Sequence, residues 1–438
     1  MKHERILPAS AKPDVRHIPG EDGWPIVGTL PAQLRDPPAY ARRMYETHGP
    51  IFRTRMFGRH WVILLGPEAN EFVLFDRERT FSSEQGWGPM LERVFPRGLM
   101  LMDGDLHRAH RKILGVAFKP APMGRYAEAL RAGIAERIAS WSGRDIRFYP
   151  EIKQLTLDLA ATSFLGIPLG AEADRINRAF IDEVAASIGM VRWPLPGTAM
   201  GRGVAGRRFL IDFFMKEVPK RRARDGDDLF TQICHALDED GRPLDPLAIA
   251  DHMNFLMMAA HDTITSSLTS TVWQLGLNPD WQERLAAEVR ANGDDRLPLA
   301  EQAFKEALRM TAPVPSLPRR ALKPFRFGGI DVPAGVGVSV SPSFVHKMPD
   351  VWPEPERFDP GRFAPEAVRA RHKYAWVPFG GGAHMCLGLH FAMLQARLFL
   401  HALLQDHRIE LTGAQPTAWQ AWPIPKPRDG LPVRIGRV

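Results

Sequence analysis

A chain of 438 residues with 45% hydrophobic content is long enough to bury a large core, and its two cysteines, Cys234 and Cys386, exclude a disulfide framework. The formal net charge of +7 permits an acidic partner, yet no Lys/Arg run interleaved with aromatic residues marks a nucleic-acid surface. No run of about 18 apolar residues exists, and Met1 to Pro31 is charged and proline-rich, so neither a signal nor a membrane anchor is expected and the protein reads as cytoplasmic.

In chain order, residues 1–31 read as a proline-rich tail and 32–438 as a single domain. A hairpin is predicted where Phe52-Arg53-Thr54-Arg55-Met56-Phe57 alternates, turns at Gly58, and returns through His60 to Leu65. Gly104 to Arg111 reads as a helix that sets His107 and Arg111 one turn apart. His107 and His110 lack a third ligand nearby and make a weak metal pair. Cys234 is expected to pack within a helix.

One long helix stands out, with Asp245 as N-cap, Pro246 at its first position and Gly276 near its end. At 1.5 Å per residue it spans roughly 45 Å, but Asp251, His252, Asn254, His261 and Asp262 interrupt it as a membrane span. A second β region runs from Phe325 to Val340, with turns at Gly328-Gly329 and Pro333-Ala334-Gly335. The remainder is helical, so the fold class is mainly α with small β sheets. Gly380-Gly381-Gly382 is not followed by Gly-Lys-Ser/Thr, which makes a phosphate loop a poor reading.

The segment Phe379-Gly380-Gly381-Gly382-Ala383-His384-Met385-Cys386-Leu387-Gly388 carries the chemistry. Its glycines permit tight turns and close approach to a flat ring, and the helix predicted after Cys386 aims free amides at the sulfur, favouring a thiolate that can ligate haem iron. The pattern Phe-x-x-Gly-x-His-x-Cys-x-Gly, followed by Ala392, resembles the haem-binding signature of the cytochromes P-450. Glu306-Ala307-Leu308-Arg309 resembles that family's Glu-x-x-Arg, and Pro355-Glu356-Arg357-Phe358 resembles the arginine-bearing segment that follows it. Ala259-Ala260-His261-Asp262-Thr263 resembles the oxygen-activating segment, with Ala260 where the family has glycine.

The resemblance implies the cytochrome P-450 fold, with the long helix crossing the haem, and a haem-thiolate monooxygenase carrying haem b. It implies Cys386 as the metal ligand, Asp262 as a proton relay, and Thr263 as hydrogen-bond partner of the activated oxygen. His107, Arg111, Arg319 and His384 are implied as propionate partners, Phe379 as packing beside the sulfur, and Glu306, Arg309 and Arg357 as a structural triad. Expected substrate walls are Trp87, Met90, Leu91, Phe95, Phe255, Met258, Ala259, Val314, Leu317 and Ile424, apolar residues that suit a lipophilic terpenoid, steroid or fatty-acid-like molecule.

Trp193-Pro194-Leu195-Pro196-Gly197-Thr198, followed by Arg202, Arg207 and Arg208, resembles the lid connection of branches acting on sterols and retinoids. Too little chain follows Cys386 for a reductase domain of roughly 100 to 150 residues, so a separate donor is expected. An acidic ferredoxin, its flavoprotein reductase and NAD(P)H fit this, with Arg108, Lys112, Arg371 and Lys373 as the docking patch. A monomer is expected. The alternatives are a peroxide-driven enzyme or isomerase, against which Asp262-Thr263 speaks, and a non-catalytic haem sensor.

Overall fold

Pro246–Leu277 forms one helix of 32 residues in the computed structural model, which describes residues 13–56, 58–189, 191–293 and 296–438. Phe57 and residues 1–12 of the expected tail lie outside the described residues. The helix starts as its sequence predicts, with the Asp245 side chain accepting from the Ala248 amide at 3.2 Å and Pro246 where no amide donor is needed.

Its second half buries a run of hydroxyls, which is costly unless each finds an acceptor. Ser267 donates to Thr263 O at 2.7 Å, Thr269 to Thr265 O at 2.7 Å and Thr271 to Ser267 O at 2.8 Å, each a carbonyl four residues back. Other hydroxyls reach outward. Thr265 meets Thr156 of the helix Phe148–Leu165 at 2.7 Å, and Ser266 donates to Pro425 O at 2.6 Å. The polar interruptions therefore stitch this helix into the protein. Among the described residues no helix is long and apolar enough to cross a membrane.

The predicted hairpin forms as Ile51–Met56 antiparallel to Arg59–Leu64, with Phe52 opposite Ile63. The second β region resolves into Phe325–Phe327, Ile330–Val332 and Gly337–Val340. Gly337–Val340, Leu317–Ala321 and Phe81–Ser82 continue the hairpin on one side, and Gly20–Glu21 pairs parallel with Arg53 and Thr54 on the other, giving a 6-stranded sheet. Val15 and Ile18 are fully buried beside it. The expected boundary at residue 31 therefore falls inside packed structure, because apolar anchors in a proline-rich stretch give no periodic signal.

A 3-stranded sheet joins Asp145–Arg147, Pro432–Arg437 and His407–Leu411. Between the sheets lies the helical core. Trp141, Phe148 and Phe399 meet edge to face at 5.8 to 6.4 Å between ring centres, locking the helices Pro120–Trp141, Phe148–Leu165 and Leu389–Asp406 together. Each such ring contributes roughly 1.5 to 3 kcal/mol by leaving water. Leu389–Asp406 begins just after Cys386, so the cysteine loop is anchored to this aromatic cluster through Phe399.

Candidate active site

The loop around Cys386 is held by its own backbone. Cys386 N donates to Phe379 O at 2.8 Å, and Met385 N to Gly382 O at 3.2 Å. Gly382 has φ +61°, and a Cβ there would stand 1.9 Å from Leu74 O, so both its conformation and its surroundings demand glycine. Phe379 is half-buried against Trp376, with ring centres 6.0 Å apart.

The Cys386 side chain is accessible, yet the mass of protein around it pushes its thiol pKa up; the Gly388 amide and the Arg111 guanidinium act the other way. The sequence led us to expect a thiol already lowered by the helix amides. Burial outweighs them, so stabilising the thiolate is left to a cation bound at sulfur. Cys234, by contrast, is buried in the helix Leu229–His235, with its pKa pushed up to about 12 by burial.

Two arginines and two histidines gather beside this loop. His107 and Arg111 project from the helix Gly104–Leu114, Arg319 from the strand Leu317–Ala321 and His384 from the loop itself, its ring centre 4.0 Å from that of His107. Asp103 offers them a carboxylate, 3.5 Å from His384 Nε2, and Asp76 acts on Arg319 as well, its own oxygens taken by the Thr80 and Phe81 amides. Asp103 is already engaged by the Ser83 amide at 2.9 Å, the Glu84 amide at 3.3 Å and the Ser82 hydroxyl.

His107 Nε2 is buried with no partner. Burial, with His384 and Arg111 adding to it, lowers the His107 pKa to about 4. Burial likewise lowers Arg319 to about 10 and pulls Arg111 and His384 down. The cluster is thus a set of buried donors short of acceptors, which a dianionic group would satisfy.

On the long helix, the Thr263 hydroxyl donates to Ala259 O at 2.8 Å, and the helix runs through Ala260 without a break. Asp262 Oδ1 lies 3.1 Å from Lys153 Nζ, on the helix Phe148–Leu165, and 3.2 Å from His261 Nε2. Burial works to raise the Asp262 pKa, but His261 and Lys153 together outweigh it and hold the carboxyl below its usual range. Lys153 carried no motif in the sequence. Its one signal is a lysine on an otherwise apolar helical face.

The structural triad forms with one member changed. Glu306 accepts from Arg309 Nε at 2.7 Å, from Arg309 Nη2 at 2.8 Å and from the Asp359 amide at 2.9 Å, with both side chains fully buried. Arg362, not Arg357, is the second guanidinium, its Nε 3.4 Å from Glu306 Oε1. Arg357 is exposed, pairs with Glu354 at 3.1 Å and lends the brace only its carbonyl, 3.3 Å from Arg309 Nη2. Pro355-Glu356-Arg357-Phe358 and Pro360-Gly361-Arg362-Phe363 share one spacing, and the Pro360–Phe363 turn, capped by Asp359, delivers Arg362 inward.

A cleft of about 2960 Å³ opens over this donor cluster. Of the expected substrate walls, Met90 borders it, as do Trp422 and Pro425 on either side of half-buried Ile424. Trp87, Leu91, Phe95 and Phe255 are instead buried in the core, Phe95 and Phe255 edge to face with ring centres 6.3 Å apart. Met258, Ala259, Val314 and Leu317 are partly buried against that core. The expected docking patch also changes. Arg108, Lys112 and Lys373 are exposed, but Arg371 is stacked on Trp352 at 4.0 Å and belongs to the interior.

The protein-family model described as Cytochrome P450 matches residues 18–427. The chain belongs to the cytochrome P450 family. It is 35% identical to the putative cytochrome P450 136 of Mycobacterium tuberculosis, over 96% of this chain and 88% of that protein. It is 30% identical to the putative cytochrome P450 120 of Synechocystis sp., over 95% of this chain and 96% of that one. A solved structure of a retinoic-acid-bound cyanobacterial cytochrome P450 superposes with a TM-score of 0.88 at 29% identity, covering 96% of this chain and 99% of that chain.

As a cytochrome P450 the protein is a monooxygenase, an oxidoreductase whose family implies haem and an electron-donating partner. The residues present fit haem. The partnerless His107 nitrogen and the donor cluster with its two guanidinium groups suit its two propionates, and the cysteine loop presents one sulfur beside them.

Proposed function

We propose that this cytochrome P450 inserts one atom of dioxygen into a C–H bond or alkene of a lipophilic terpenoid, steroid or fatty-acid-like molecule. The observation that carries the reading is the pairing of Asp262 with Thr263 on the long helix, with Lys153 leading from the carboxyl toward solvent. Support for an isoprenoid substrate comes from the retinoic acid named with the similar cyanobacterial structure and from Met90 and the Trp422–Pro425 turn at the cleft.

Cys386 would hold haem through its sulfur, and His107, Arg111, Arg319 and His384 would meet its propionates; bound there, haem would supply the oxygen-activating and electron-accepting chemistry. The chain's own task is proton delivery with exclusion of stray water. Lys153, its side chain 26% exposed, holds the Asp262 carboxylate on the solvent side of the path. On turning from Lys153, Asp262 takes a proton from solvent and gives it up on the Thr263 side. The Thr263 hydrogen is engaged by Ala259 O, so its oxygen is free to accept.

Electrons come from a separate acidic ferredoxin reduced by a flavoprotein at the cost of NAD(P)H, with Arg108, Lys112 and Lys373 at the contact. The decisive experiment combines Thr263→Ala with a panel of isoprenoid and fatty-acid ligands. Ligands that shift the ferric spin state should be oxidised by the wild type, whereas the variant should keep its haem and divert electrons into peroxide. Unchanged coupling of electron use to product in Thr263→Ala would remove that residue from the pathway.

A further inference from the structure

Arg192 lies in the connection between the helices Ala171–Ser187 and Ala199–Arg222. Its guanidinium donates four hydrogen bonds, all to main-chain carbonyls. Nη1 reaches Ala186 O at 3.3 Å and Ser187 O at 2.9 Å, while Nη2 reaches Pro89 O at 3.0 Å and Met90 O at 2.9 Å.

Those acceptors belong to the last turns of two helices, Ala171–Ser187 and Ser83–Leu91. Carbonyls there carry the negative end of the helix dipole, and Ala186 O also accepts from the Gly189 amide at 3.2 Å. A flat fork of fixed donors can serve two such ends at once, as a lysine's point charge cannot. Burial, reinforced by the nearby Arg93, draws the Arg192 pKa down, so the carbonyls hold this cation against a desolvation cost.

The bridge stands at the rim of the large cleft, which Pro89, Met90, Ile188, Gly189 and Arg192 all border. Met90 is thus both a clasp point and an expected substrate wall. We infer that Arg192 is a specificity-determining clasp: by tying the two helix ends across the rim, it sets how wide the entrance opens and which ligand sizes pass. The inference rests on the proposed function only in taking the cleft as the route to the haem.

The test uses wild-type holoenzyme, Arg192→Ala and Arg192→Lys. Binding of imidazole and of clotrimazole, a bulky triaryl azole, is followed by the haem absorption shift in stopped flow, and amide exchange is measured across 83–91 and 180–187. In Arg192→Ala both rates for the bulky ligand should rise about tenfold, the size expected from losing one or two charged hydrogen bonds, while those for imidazole change less than about twofold. Arg192→Lys should resemble Arg192→Ala, and exchange should quicken in both segments.

Equal changes for the two ligands, wild-type behaviour in Arg192→Lys, or unaltered exchange would each overturn the clasp. A thiolate-type spectrum of the reduced carbon-monoxide adduct in every variant controls for folding. If the wild type binds no haem, the proposed function fails, while the exchange measurement still decides whether Arg192 holds the two helices.

Discussion

Two buried clusters of charge lie within the same protein and differ in how their charge is met. Glu306, Arg309 and Arg362 answer one another, with the carboxylate oxygens engaged by guanidinium groups and a backbone amide. His107, Arg111, Arg319 and His384 gather two guanidinium groups and two imidazoles around Asp103 and Asp76, both already occupied. A buried ion whose partners lie in the chain is structural, and removing one partner strands the rest. A buried ion lacking such partners is an invitation to a ligand. The contrast separates brace from binding site without any motif.

The largest expected effect lies in the brace. Glu306→Ala strands two buried guanidinium groups and should cost about 3 to 5 kcal/mol in denaturant unfolding; a cost near 1 kcal/mol would mean that this network is no sturdier than a surface pair. Buried groups that avoid charge altogether sharpen the comparison. His252 is fully buried, its Nε2 2.6 Å from His110 Nδ1, and burial lowers its pKa to about 3.

The unfolded chain therefore takes up this proton first. The contribution of His252 to stability is whole above about pH 6.5 and is lost as pH falls toward 3. His252→Gln should flatten the stability-versus-pH curve by about 2 kcal/mol between pH 6.5 and 4.5, and equal slopes in the two proteins would refute this.

In the binding cluster, Arg319→Ala should leave the unfolding free energy of the polypeptide within about 1 kcal/mol. It should nonetheless speed transfer of haem to an acceptor protein about 10- to 100-fold. A stability loss matching that of Arg309→Ala would erase the distinction drawn here. The smallest effect separates the two arginine segments. Arg357→Ala should change stability by less than about 0.5 kcal/mol, whereas Arg362→Ala should cost about 1 to 3 kcal/mol in the same assay.

Much of the site was legible because its signals are local. The cysteine loop needs glycines within a few positions, the hairpin needs alternation around Gly58, and the long helix advertises its start at Asp245-Pro246. Partners set by tertiary approach were not legible. Lys153 meets Asp262 from another helix, and His110 meets His252 across a wide sequence gap. Arg362 could not be chosen over Arg357 from spacing that both share. Phe95 and Phe255 read as pocket walls because an apolar side chain looks alike whether it faces a ligand or its own core.

The strand Pro432–Arg437 is central in its sheet, hydrogen-bonded to His407–Leu411 on one side and to Asp145–Arg147 on the other. During synthesis, then, the segment at 145–147 leaves the ribosome long before its mate exists. The entrance to the helix Phe148–Leu165, which carries Lys153, must wait for residues 432–437 before it is pinned. A ribosome stalled short of that strand would therefore display the helix Phe148–Leu165 with its entrance unpaired and Lys153, the partner of Asp262, unfixed.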